Sequence, residues 1–404
     1  IFKMKSLKSF INFALFCNVL VIISNVSVAQ DTKKNSTTAK GRQNFPPVEE
    51  IGSYGVEKLL NLNPTDMLEY INEFCSRGAQ INNAAAFDYK DISLTLYDGK
   101  ENTPFLLANM ENLMQHPSFN KTHNVVVFVP GWLSNLQESP NAAADTIYKA
   151  YECRGSTNFL VMDTTKQINT LGASTAENTL NMGQYLANAL KDLTESVKIS
   201  QIHLIGHSLG AHIVGAAGRF FKSITGKNLP RITGLDPGRV CFVERNGNFD
   251  LERGDADFVD IIHTNPNGLG KEETIGNANF YPNGLNLMPG CNDAICSHKM
   301  AWRYYAESVY PSNKFGFSGK KCLTENLKNL TNTDCGGQSE PMGYATPATA
   351  TGNYFLQTNS KEPYGKNSKN DKKCGVVEAN IIDIFSSIAT VERTDSPDNL
   401  PVWS

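Results

Sequence analysis

Apolar and polar residues alternate at a period of two in Ile92-Ser93-Leu94-Thr95-Leu96-Tyr97. That rhythm predicts an edge or antiparallel strand. Farther along the pattern changes to continuous apolar runs: Val125–Val129, ended by Pro130-Gly131, then Phe159–Met162, Ile202–Ile205, Arg231–Leu235 and Phe258–Ile262. Between Ser174 and Ser196, Ala176, Leu180, Gly183, Leu186, Ala187, Leu190 and Leu193 recur at helical spacing on one face. A second helix follows residue 208, and Pro64-Thr65-Asp66 opens an earlier one with a helix-entry signature. Strands that are apolar throughout, separated by helices, are covered on both sides. The pattern therefore predicts an α/β fold with a mostly parallel central sheet and helices on both faces. No internal repeat is present, and after about residue 345 the chain reads as polar and loop-like. One domain over 91–404 is the economical division, preceded by a polar tail and helical extension over 30–90.

The first 29 residues have a different character. A basic start at Met4-Lys5-Ser6-Leu7-Lys8 leads into a mainly apolar stretch from Ile11 to Ile23, and Ser27-Val28-Ala29 offers a cleavage point. This reads as a signal peptide with Met4 as its initiator, so Ile1–Lys3 are not native, and the stretch is too short to span a membrane. Its loss removes Lys3, Lys5 and Lys8 and no acid, taking the formal charge from −3 to −6. With no basic stripe, nucleic acid is excluded as a partner. Eight cysteines remain beyond Cys17, an even number that points to disulfides in an oxidising compartment. Cys291–Cys296 and Cys322–Cys335 are the expected pairs, while Cys75, Cys153, Cys241 and Cys374 allow three pairings. Asn35-Ser36-Thr37, Asn120-Lys121-Thr122 and Asn329-Leu330-Thr331 are glycosylation sequons.

Candidate chemistry begins at Gly206-His207-Ser208-Leu209-Gly210, which follows an apolar strand and precedes Ala211–Ala217 of the predicted helix. A serine on such a strand-to-helix turn has its hydroxyl raised above the sheet, with glycine on either side for close packing. The N–H of Leu209 then lies at a helix N-terminus, where it can receive a developing oxyanion. A serine hydroxyl is a poor nucleophile near neutral pH, so it needs an imidazole base and a carboxylate to hold that base. On this fold the chain order is serine, acid, histidine. Asp236 follows the next strand in Thr233-Gly234-Leu235-Asp236-Pro237 and is the leading acid. Asp257 and Asp260 are its rivals, although Asp260 lies within a strand and suits a structural hydrogen bond. For the base, His212 lies four residues along the elbow helix and His263 ends a strand. His298 follows Cys296 on what reads as a disulfide-stiffened loop, which slightly favours it.

Gly206–Gly210, Gly234–Pro237, Asp255–Thr264, Phe280–Gly284, Pro289-Gly290-Cys291 and Cys296-Ser297-His298 occur in this order. Over roughly residues 90–365 they resemble the pancreatic (animal) lipase family. The resemblance implies an α/β-hydrolase fold, a catalytic triad of Ser208, Asp236 and His298, and an oxyanion hole from the backbone N–H groups of Leu209 and Trp132. It implies hydrolysis of lipid carboxylic esters at a membrane or lipoprotein surface, with no metal and no organic cofactor in the reaction.

Departures from the family pattern shape the expectation. Pro130 stands where histidine is usual, and only Asn292–Ile295 lies between Cys291 and Cys296, where a lid is usual. So short a lid resembles the family's phospholipase A1 members. Near the position of the family's bound calcium only Glu252 and Asp255 are acidic, and Asp250 replaces an expected basic residue. No C-terminal lipid-binding β-sandwich domain is expected. Pro130-Gly131 and the N-terminal extension also resemble fly yolk proteins, which share the fold and have generally lost the serine motif. Two functions are thus carried forward. One is a secreted lipid esterase, a phospholipase A1 or lipase; the other is a weak or inactive yolk or lipid carrier. Oligomeric state is left open.

Overall fold

The computed structural model divides the chain after Pro46, and the elements below belong to the unit Pro47–Ser404. It describes chiefly residues 64–77, 89–131, 142–164, 176–239, 249–322 except 267, and 335–370, with Cys374 and a few isolated positions. The leader, the polar tail, Trp132 and Cys241 lie outside the described residues, as does the side chain of Cys75.

Among the described residues, eleven strands form one sheet in the order β10-β9-β11-β8-β7-β6-β5-β3-β4-β1-β2. β1 (Ser93–Tyr97) pairs antiparallel with β2 (Thr103–Leu106) and β4 (Thr157–Asp163), one of the two placements expected of it. From β4 through β3 (Asn124–Val129), β5 (Ile202–His207), β6 (Arg231–Leu235), β7 (Phe258–Ile262) and β8 (Ala278–Pro282), every pairing is parallel. β5 to β8 are buried at every position, which is why their sequences carry little polar alternation.

Helices cover both faces. α1 (Pro64–Arg77) precedes the sheet and buries Met67, Ile71 and Phe74; α2 (Met110–Met114) is a single turn. On one face α4 (Ala176–Leu193) packs on α5 (Leu209–Thr225). On the other, α3 (Ala142–Arg154) and α6 (Ala294–Val309) share a core with Val126, Phe128, Phe159, Ile205, Leu235 and Phe280. That face also buries a bidentate ion pair. Arg231 donates to Asp260 from Nε (2.8 Å) and Nη2 (2.9 Å) and caps the carbonyls of Gly343 (2.7 Å) and Tyr344 (2.9 Å). Asp260 is thus structural, as its place inside a strand suggested.

Two readings are corrected here. The region after residue 345 is not only loop: β11 (Gly352–Leu356) adds parallel to β8, and the short β9 (Ser318–Lys321) and β10 (Ser339–Pro341) complete that edge. Five residues flanked by polar chain give too little periodicity to announce a strand. His298 is not on a loop but in the second turn of α6. Asp293 caps that helix by accepting from Cys296 N (2.7 Å). The expected Cys291–Cys296 and Cys322–Cys335 disulfides form, and Cys153 pairs with Cys374.

Candidate active site

Ser208 links β5 to α5 with φ 55° and ψ −122°, a backbone conformation that L-residues rarely adopt. The elbow survives because its neighbours are small. A Cβ on Gly210 would lie 2.8 Å from the Pro130 carbonyl oxygen and closer still to that of Val129, so only glycine lets α5 start against the end of β3. Ser208 N donates to Leu235 O (3.0 Å) and Gly238 N donates to Ser208 O (3.1 Å), locking the turn to the chain around Asp236. The Ser208 hydroxyl makes no cap hydrogen bond with α5. Leu209 opens that helix, so its N–H is one of the donors a helix leaves unsatisfied.

Asp236 stands at the end of β6, the strand beside β5. Its Oδ1 accepts from the backbone N–H groups of Thr264 (2.8 Å) and Asn265 (2.9 Å), and its Oδ2 accepts from His298 Nδ1 (2.5 Å). Three donors thus fix one buried carboxylate in place. Both side chains of the Asp236–His298 pair are fully buried. With Nδ1 carrying the proton, Nε2 is the acceptor, and that atom is buried with no hydrogen-bond partner. No bond to Ser208 Oγ is closed, a common state of such sites before substrate binds.

The rival bases are committed elsewhere. His212 Nε2–H donates to Gly238 O (2.7 Å) while its Nδ1 accepts from Leu251 N (3.0 Å), and burial pushes its pKa down to about 4. His263 Nδ1–H donates to Lys271 O (2.8 Å), and its ring stacks 4.3 Å from that of Tyr281. Asp257 is exposed and accepts from Asn228 Nδ2 (2.8 Å). The structure therefore brings Asp236 and His298 together and leaves the other candidates in structural roles. Two contributors are invisible in the sequence reading: the N–H groups of Thr264 and Asn265. A loop that wraps a carboxylate with backbone donors has no side-chain signature.

The residues near the implied calcium position do not fit the ion. Asp255 accepts from Arg219 Nη1 (2.7 Å) and Glu252 N (2.9 Å), and Asp250 pairs with Lys271 Nζ (2.8 Å). Carboxylates already neutralised by cationic side chains are poor ligands for a hard cation. Among the described residues no cluster of three or more His, Cys, Asp or Glu could hold a metal.

A parallel sheet with a strained serine between a strand and a helix, and an acid on the neighbouring strand, defines an α/β-hydrolase. The chain belongs to the Lipase family, whose match covers residues 71–364. It is 38% identical over 194 residues to vitellogenin-1 of Ceratitis capitata, covering 47% of this chain and 44% of that protein. To vitellogenin-3 of Drosophila melanogaster it is 39% identical over 196 residues, covering 48% and 46%. To pancreatic triacylglycerol lipase of Equus caballus it is 31% identical over 265 residues, covering 56% and 55%. The chain thus spans about half the length of these relatives.

Proposed function

We propose that this protein is a secreted serine hydrolase of lipid carboxylic esters. The observation that carries the reading is the buried Asp236–His298 pair, its Nε2 uncommitted, at the sheet edge where the Ser208 hydroxyl stands uncapped. His298 Nε2 takes the Ser208 proton as Oγ bonds to the ester carbonyl carbon. The carbonyl electrons move onto oxygen, which receives the N–H groups of Leu209 and Trp132. Asp236 holds the imidazole in register and stabilises its charged form. The tetrahedral intermediate then collapses, and the alcohol leaves with the proton from His298. Water, deprotonated by the same nitrogen, attacks the acyl-enzyme, releases the fatty acid and restores Ser208.

The short lid favours a phospholipase A1-type substrate. Of the four residues between Cys291 and Cys296, Asp293 caps α6 and Ala294 and Ile295 already belong to it, which leaves no flap to shield an apolar surface. Secretion is supported by the leader and the disulfides.

Fluorophosphonate labelling read by intact mass tests the central reading. Wild type should gain one adduct and Ser208→Ala none. Phosphatidylcholine should then be hydrolysed faster than triolein, and the reverse order would overturn the phospholipase assignment. A second reading, a lipid carrier using the same fold, is favoured by the likeness to the two insect vitellogenins. A folded wild type that takes no label would make it the better one.

A further inference from the structure

His207, the residue before the nucleophile, does more than end β5. Its ring is fully buried, and its Nε2–H donates to the backbone carbonyl of His298 (3.1 Å). The two rings also pack with centroids 4.6 Å apart at 40°. The base is therefore held from two neighbouring strands. β6 holds its Nδ1 through Asp236, and β5 holds its main chain through His207. Thr264 Oγ1 reaches the same carbonyl only at 3.5 Å. The sequence placed His207 inside the elbow motif without giving it a task.

We propose that His207 is a positioning residue: its ring N–H fixes the main chain of His298 so that the His298 ring meets Asp236 and presents Nε2 to Ser208. The charged and titratable groups around it agree with the neutral form. Burial foremost holds its pKa well below the ordinary value; His298 facing the ring and Lys299 next along α6 act in the same direction, against the hydrogen bond to the His298 carbonyl, which favours the charged form. An uncharged neighbour also spares the imidazolium that forms on His298 during attack from a second positive charge.

The proposal rests on the triad reading, so two readouts keep their failures apart. The first is the downfield imidazole N–H proton resonance of the His298–Asp236 hydrogen bond, which needs no turnover. The second is the rate of fluorophosphonate labelling. His207→Phe keeps the ring volume and removes the donor, whereas His207→Gln keeps an N–H donor near Nε2 and removes the ring. Expected are a broadened or lost resonance and a 10- to 100-fold slower labelling rate in His207→Phe, with most of both recovered in His207→Gln, all three proteins melting alike. His203→Phe, a buried histidine of the same strand bonded to Thr233 Oγ1 (2.8 Å), should change neither readout in protein that has folded. An unaltered resonance in His207→Phe would overturn the proposal, because the ring would then merely fill space, as would equal loss in both variants, because a retained donor would then restore nothing. A wild type that shows the resonance and takes no label would instead count against the enzyme reading alone.

Discussion

Replacing Asp260 by asparagine separates the two buried acids that the sequence offered as partners for a catalytic histidine. Asp260 accepts two hydrogen bonds from Arg231, at 2.8 and 2.9 Å, and a third from Thr233 Oγ1 at 2.8 Å. Both charged side chains are at most 2% exposed. Asparagine preserves the shape and leaves the guanidinium with two carbonyls and no counter-charge. Breaking a buried pair from one side costs about 3–5 kcal/mol. Residues 71–364 match the family domain, and roughly 290 residues at about 2.1 cal/mol/K each give an unfolding entropy near 0.6 kcal/mol/K. The expected fall in melting temperature is therefore about 5–8 °C. Wild type and variant should be scanned at one rate, since disulfide-bonded chains of this size often unfold irreversibly. Below the transition the variant should label with fluorophosphonate at the wild-type rate. Asp236→Asn should do the opposite, melting close to wild type with labelling slowed by roughly three to four orders of magnitude. Lost labelling in Asp260→Asn at an unchanged melting temperature would refute the assignment of the acid, and a fall below about 1 °C would refute the energetics.

Three further outcomes follow from the geometry. His212 is held near pKa 4 against an ordinary 6.5, so the unfolded chain binds the extra proton between those values. Stability should be fully present above pH 6.5 and fall by up to about 3 kcal/mol as pH drops to 4. His212→Asn should flatten that slope in a series of melting scans, and an identical slope would remove His212 as its source. Gly210→Ala forces a Cβ onto the carbonyls of Val129 and Pro130. It should cost more than about 2 kcal/mol, read as a lower melting temperature or lost secretion, and a wild-type melt would contradict the packing described. Asn120 is exposed on the turn before β3, with Thr122 Oγ1 donating to its Oδ1 (2.8 Å). Protein secreted by eukaryotic cells should lose mass on N-glycanase treatment and Asn120→Gln should lose less by one glycan, while labelling stays the same because Asn120 precedes β3 and Ser208 follows β5, at opposite ends of parallel strands.

The parallel centre of the sheet was legible because burial on both faces selects residues of one kind. Val125–Val129, Ile202–Ile205 and Phe258–Ile262 therefore stand out without any knowledge of their partners. β8 and β11 carry the buried amides Asn279 and Asn353, and that polarity hid them. The elbow was legible because its serine, glycines and helix are contiguous. The Asp236–His298 pair was harder, since the two are 62 residues apart and only the packing of α6 against the end of β6 brings them together. A signal for α6 was present in Asp293, three residues before the amide it caps, but the flanking cysteines made the segment read as a loop. Cys153–Cys374 could not be chosen from spacing, because its partners are 221 residues apart.

That same disulfide turns most of the molecule into a covalent ring. It runs from the end of α3 to a point beyond β11, so Ser208, Asp236, His298 and every strand except β1, β2 and β3 lie on the closed part. A single proteolytic cut anywhere on that part opens the ring without releasing a fragment. Nicked protein would migrate as one species on a non-reducing gel and as two pieces after reduction, so the sheet can be cleaved in a surface loop and still be held together.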